Sequence, residues 1–169
     1  EWDRFQILLT GAPPIAVGDQ LFIYYRGTAR RHNKVKGEFE PRIDSDQDRR
    51  TMSIGLATLR LDGFASIAAS YDGGYITTRP MVLGGDLLSV NAVSDYGEVR
   101  VEILDEKGET IPGYSAQDCI PVSVDRVEAE VAFRDRRSLS EISGRTVKLR
   151  FHLKNARLYS FRATYSSHG

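Results

Sequence analysis

The chain has 169 residues, is 41% hydrophobic and 27% charged, and balances 23 basic against 23 acidic side chains. A chain of this length can bury a core as one domain, or as one domain with an appended piece, and no apolar run approaches the ~18 to 20 residues of a membrane-spanning helix. With no net charge there is no global field for nucleic acid or an anionic membrane, so neither is an expected partner.

The first residues, EWDRFQILL, have neither a basic n-region nor a long apolar stretch, so they are not a signal peptide. They also lack an initiator Met, and the chain reads as a processed product or a piece of something longer. After the breakers Pro13 and Pro14, the turn dipeptide Gly18-Asp19 introduces QLFIYYR, Gln20 to Arg26, whose aromatic and β-branched content predicts a strand in a hairpin. Met52 to Leu61 places Ile54, Leu56, Thr58 and Arg60 on one face, and Asp62-Gly63 turns the chain toward Phe64 to Ala69. Further strands are expected at Gly74 to Thr78 and Leu87 to Val93. At Glu98 to Leu104, Val99, Val101 and Ile103 alternate with Glu98, Arg100 and Glu102. The turn Asp105 to Gly108 leads to a short strand at Glu109 to Ile111. Arg126 to Phe133 alternates Val127, Ala129, Val131 and Phe133 with polar positions. Thr146 to Leu153 directs Val147, Leu149, Phe151 and Leu153 inward and Lys148, Arg150 and His152 outward, and Leu158 to Thr164 closes the series. One helical turn is expected at Ser138 to Ile142, where Ser138 and Glu141 have capping-box spacing and Gly144 can stop it. Many short strands with almost no helix predict an all-β fold, an antiparallel β-sandwich of jelly-roll type with an N-terminal β-hairpin.

The segments IGLATLRLDGFASI, TTRPMVLGGDLLSVNA, VRVEILDEKGETIPGYSAQDC and LSEISGRTVKLRFHLKNARLYSFR resemble the C-terminal β-sandwich of bacterial proteins related to five-bladed propeller glycoside hydrolases, families 32 and 43 among them. GDQLFIYYRGTARRH and SIGLATL are similar to strands of the last propeller blade. The resemblance runs from about Gly18 to Phe161. It implies a partial propeller blade and charged loop over residues 1–62, a β-sandwich domain over 63–164 and a tail over 165–169. It further implies an accessory module that stabilises an upstream propeller domain and contacts carbohydrate. The carboxylates that cleave glycosidic bonds in such proteins lie on early blades, and no residue of this chain matches their motifs, so no catalytic residue is carried over.

Tyr71 and Tyr75 flank Asp72-Gly73-Gly74, and Tyr96 lies in the turn Ser94 to Gly97, so these tyrosines are candidates for stacking on a sugar ring from loop tips, against ordinary turn packing. For Phe22, Tyr24, Tyr25, Phe133, Phe151 and Phe161, which lie within strands, core packing is the better account. Arg31 and His32, after the strand LFIYYRG, would approach the funnel of a complete propeller and grip hydroxyls or carboxylates there; otherwise they belong to a solvated basic loop. Asp44, Asp46 and Asp48 alternate as calcium ligands can, but Arg49 and Gly55 stand where an EF-hand needs its Gly and Glu, which favours a solvated loop. Cys119 is the single cysteine, which excludes an intramolecular disulfide and gives no thiol pair for zinc; it reads as a small buried hydrophobe. GYSAQD, Gly113 to Asp118, departs from a nucleophile elbow and reads as a turn. His32, His152 and His168 share no ligand spacing.

Three functions are consistent with these residues. The first is the accessory carbohydrate-contacting module. The second is a small stand-alone hydrolase with a site assembled from loops or a subunit interface, drawing on Asp44, Asp46, His32 and Tyr96. The third is a structural oligomerisation module. Edge strands of an unclosed blade would offer unpaired backbone groups, so a homo-oligomer formed through those edges is expected. Resemblance favours an extracellular or periplasmic setting.

Overall fold

The computed structural model describes residue 3 and residues 6–28, 52–135 and 138–166, and these form twelve strands with no helix among the described residues. The chain divides into two compact units, Glu1–Leu61 and Asp62–Gly169.

The described residues of the first unit form one antiparallel sheet of β1 (Gln6–Leu9), β2 (Ile15–Val17), β3 (Gln20–Thr28) and β4 (Met52–Arg60). Strand β3 is central: β1 and β2 share one of its edges and β4 takes the other. The expected hairpin is present, because Gly18, at φ 56°, lets a two-residue turn join Val17 to its partner Gln20. Tyr25 faces Gly55 across the sheet, and its ring occupies the space a Cβ at position 55 would need. Its hydroxyl donates to Asp3 Oδ2 at 2.8 Å. The register puts Leu8, Ile15, Phe22, Tyr24, Ile54 and Leu56 on one face, and all but Phe22 are exposed, Ile54 to 77%. The expected shared face of Ile54, Leu56 and Thr58 therefore exists, yet it lies in solvent. Tyr24 is likewise exposed and not part of a core.

The second unit is an antiparallel β-sandwich, not closed into a barrel. One sheet has the order β10 (Asp125–Glu130), β8 (Leu87–Val93), β12 (Ala156–Thr164), β5 (Ile67–Ala69). In the other, β11 (Thr146–Lys154) is central, with β9 (Glu98–Leu104) on one edge and β6 (Gly74–Thr77) and β7 (Met81–Val82) on the other. Alternation dictates the packing. Val147, Leu149, Phe151 and Leu153 of β11 and Val99, Val101 and Ile103 of β9 turn inward, as expected, against Leu88, Val90 and Ala92 of β8. Each of the larger of these side chains contributes roughly 1.5–3 kcal/mol of burial, and the Ala92 methyl less. Phe151 also meets Phe161, with ring centroids 5.1 Å apart.

Several expectations shift in detail. Glu109 to Ile111 makes only a single bridge, Leu104 to Thr110, and β5 is shorter than the Phe64 to Ala69 run. Val131 and Phe133 are buried as their alternation requires but lie beyond the end of β10, where Phe133 bridges to Cys119. The turn of helix expected at Ser138 to Ile142 is instead a pair of successive reverse turns, Ile142 N to Leu139 O and Arg145 N to Ile142 O. Ser138 Oγ accepts from the Ser140 amide, two residues on, so the N3 amide that a capping box needs is not the one it meets. Gly144, at φ 77°, ends the segment as foreseen.

Candidate functional site

The alternation that buries one face of β11 and β9 leaves the other face open, and the densest group of interacting polar side chains there surrounds Glu102. Register sets Arg150 between Glu102 on β9 and Thr77 on β6, and His152 between Arg100 and Tyr75. Glu102 Oε2 accepts from Arg150 Nη1 at 3.2 Å and lies 3.1 Å from His152 Nε2, while Oε1 accepts from the Thr110 hydroxyl at 2.6 Å. Its side chain is 12% exposed. Burial raises the Glu102 pKa, but the hydrogen bonds from Thr110 and His152 and the charge of Arg150 outweigh it and hold the carboxyl below its ordinary range. Arg150 Nε donates to the Thr77 hydroxyl at 3.1 Å, so the guanidinium is fixed from two sides.

Over this polar floor stands Tyr75. The Arg150 Cζ lies 5.1 Å from its ring centroid, and the His152 ring is 5.8 Å away, tilted by 43°. Tyr75 is nevertheless 68% exposed, so much of the aromatic surface faces water. An exposed aromatic, an immobilised guanidinium, an imidazole and a carboxylate thus sit side by side on a rigid sheet. Such a set can stack on an apolar ring face and exchange hydrogen bonds with hydroxyls or an anion. It is poorly suited to splitting a glycosidic bond with Glu98, the other acidic residue on the same face of β9. Four residues of strand separate the two backbones by about 13 Å, against roughly 5–10 Å between catalytic carboxylates.

Tyr71 and Tyr96 sit beyond the end of the same sheet. The connections β5–β6, β8–β9 and β11–β12 all cross between the two sheets at this end, and Asn155 binds them together. Its amide donates to Ser70 O at 2.8 Å, and its side-chain Nδ2 donates to Tyr96 O, also at 2.8 Å. Gly97 is required here, because a Cβ would run into the backbone carbonyls of Lys154 and Asn155. Tyr71 and Tyr96 are 66% and 81% exposed on these joined turns, and Tyr75 is the second residue of β6, the strand that leaves the first of them. The structure therefore gathers the turns of Tyr71 and Tyr96 at one end and adds the face with Tyr75. Arg31, His32, Asp44, Asp46 and Asp48 lie outside the described residues, as does His168. Among the described residues no group of three or more His, Cys, Asp or Glu side chains could hold a metal ion, and no helix is long and apolar enough to cross a membrane.

Ser115, in the GYSAQD turn, and Cys119 have structural roles. Ser115 Oγ donates to Asp118 Oδ2 at 2.6 Å and accepts from the Asp118 amide at 3.2 Å, closing the GYSAQD turn. Cys119 is buried, with the Val101 amide 3.2 Å from its Sγ, and burial pushes its thiol pKa up, away from nucleophilic character. Glu102, Arg150, His152 and Thr77 are site residues that sequence reasoning did not assemble. Their outward positions on alternating strands were readable, but the pairing of β9 and β6 with β11 that joins them was not. Compared with protein-family models, with curated proteins and with solved structures, the chain matches none.

Proposed function

We propose that this chain is an accessory β-sandwich module of a glycoside-hydrolase-like protein, binding carbohydrate on the open face of the β6–β11–β9 sheet and packing its N-terminal sheet as part of an upstream propeller. The observation that carries the reading is Tyr75, exposed beside Arg150 and His152 over the fixed Glu102 carboxylate. Stacking on a sugar ring uses the aromatic surface, and the flanking donors and acceptor orient hydroxyls. Sites on strands are held more exactly than sites on loops, which suits recognition without a moving lid. The propeller part of the proposal is supported by the first unit. Its sheet shows apolar side chains to solvent on both faces, Leu8, Ile54 and Leu56 on one and Ile7 and Leu9 on the other, as a blade between neighbouring blades would.

A glycan array probed with the full chain, followed by titration calorimetry on the best oligosaccharide, tests the binding site. Tyr75→Ala is expected to weaken binding about tenfold or more, on the scale of an aromatic contact with its buried area, while leaving the melting temperature nearly unchanged because the ring is exposed. Binding to no glycan, or binding indifferent to Tyr75→Ala, would refute the assignment.

A further inference from the structure

Resting on the carbohydrate-binding reading, we propose that the ligand of this face is an acidic polysaccharide bearing carboxylates, a uronate-containing chain, read by a ladder of basic side chains along β11. The sequence KLRFHLK, Lys148 to Lys154, sends Leu149, Phe151 and Leu153 into the core. Period-two geometry therefore puts Lys148, Arg150, His152 and Lys154 on the open face in one row, spanning roughly 20 Å from first to last. Arg100 of β9 lies opposite His152, but its guanidinium is tied to Glu98 and to the backbone carbonyls of Ala116 and Cys119, so the row is that of β11.

The acidic side chains of β9 on this face are already engaged. Glu98 pairs with Arg100 at 3.2 Å, and Glu102 holds Arg150, His152 and Thr110. Lys148 stands opposite Leu104, an apolar partner. Lys154 stands opposite Glu98, whose carboxylate is directed to Arg100. Among the described residues neither lysine has a carboxylate within ion-pair distance. The Nη2 of Arg150 is likewise uncommitted, since Nε and Nη1 carry its two hydrogen bonds. The face thus offers a lysine outside any ion pair at each end, Lys154 at one and Lys148, whose Nζ lies beside Gly108 of the turn from Asp105 to Glu109, at the other, with an open guanidinium nitrogen at the centre, although the whole chain has no net charge. A neutral glycan would leave those cations unused. A chain with repeated carboxylates would neutralise them while its rings meet Tyr75. A nucleic acid would supply anions too, but Tyr75 alone stands over the row of cations, with Tyr71 and Tyr96 on turns beyond the end of the sheet, and one ring along the row is a poor platform for successive bases, which bind on several stacked rings.

The test is titration calorimetry of the full chain with a galacturonate oligosaccharide, the same oligosaccharide with its carboxylates methyl-esterified, and a single-stranded DNA oligomer of matched charge. Exposed ion pairs are worth at most about 1 kcal/mol each, so esterification is expected to weaken binding roughly fivefold or more. The double variant Lys148→Gln with Lys154→Gln should weaken binding of the acid form roughly threefold to tenfold, by the same per-pair scale. That double variant should bind the esterified form as the unaltered chain does, which separates lost charge from lost folding. Equal affinity for acid and ester forms would overturn the acidic-ligand inference and leave the carbohydrate reading standing. DNA binding as tight as the acid oligosaccharide would overturn sugar recognition in favour of a general polyanion surface. Acid binding that survives the double variant would remove the ladder from the site. Binding of no saccharide, acidic or neutral, would defeat both readings together.

Discussion

Replacing Glu102 by Gln tests whether the open face is assembled around one ionised carboxylate. The substitution keeps the side-chain volume and an acceptor for the Thr110 hydroxyl, but removes the charge that Arg150 and His152 meet at 3.2 and 3.1 Å. It also presents an amide that can point N–H groups at those donors. Hydrogen bonds to charged groups are worth about 1.5–3 kcal/mol when buried. Arg150 and His152 are about a third exposed, at 30% and 35% of their side chains, so solvent screening cuts each to no more than about 1 kcal/mol. The expected loss is about 1–2 kcal/mol at neutral pH, a fall in melting temperature of roughly 5–10 °C for a unit of this size. The pH dependence has a definite sign. Despite the raising effect of burial, the Glu102 pKa in the folded protein is below its ordinary 4.5, because Thr110, His152 and Arg150 stabilise the ionised form. A depressed carboxylate pKa gives stability that is full above the unfolded value and is lost as pH falls through the folded one. The stability gap between Glu102 and E102Q should therefore be full at neutral pH and close progressively below 4.5, where the unaltered residue becomes a neutral acid as well. Urea unfolding of both proteins along a pH series measures it. Equal stability at neutral pH, or a gap that persists unchanged into acid, would refute the account.

Gly97→Ala should cost several kcal/mol, in the range of roughly 3 or more, because the clash is with backbone carbonyls of Lys154 and Asn155 that cannot rotate away; thermal unfolding would show it, and loss of the joined turns would expose the Asn155 amide, which donates to Ser70 O, to hydrogen exchange. Cys119 should resist a thiol reagent such as dithionitrobenzoate in the folded protein and react promptly in denaturant, since the thiol is buried and its pKa is raised by that burial; rapid labelling of the native chain would contradict the packing.

Where period-two alternation coincides with one buried face, the sequence is a faithful guide. Strands β8 and β9 have the bounds expected of Leu87 to Val93 and Glu98 to Leu104, and β11 and β12 extend their expected runs by only one and two residues. The signal fails where strands are too short to show a period. β1, β2 and β7 have 4, 3 and 2 residues, and each lies on an edge, held by the neighbour's backbone more than by its own side chains. The site was legible in part for a related reason. Tyr75, Tyr71 and Tyr96 announce themselves as aromatics beside turn residues, a local pattern. Glu102 with Arg150 and His152 spans 48 and 50 residues of chain, and only the pairing of β9 with β11 brings them together. That pairing is set by how the two sheets share the core, which no single segment encodes.

Strand β3 carries a different message from the strands of the sandwich. Leu21, Phe22, Ile23, Tyr24 and Tyr25 form an unbroken apolar run, whereas β9 and β11 alternate strictly. Continuous runs belong to strands covered on both faces, and alternating ones to strands with one face in water. In the sandwich each sheet has one buried and one open face, and alternation follows. Among the described residues the first unit is a single layer with apolar residues exposed on both sides, Ile15, Tyr24 and Leu56 on one and Ile7 and Leu9 on the other. A layer so composed gains its burial only between two others. Under the accessory-module proposal, neighbouring blades of a propeller are those layers. On that proposal the two units would divide the labour by their alternation: the unbroken strand would pack into a larger assembly, while the alternating strands, which seal their own core, would turn their patterned polar face outward to a ligand.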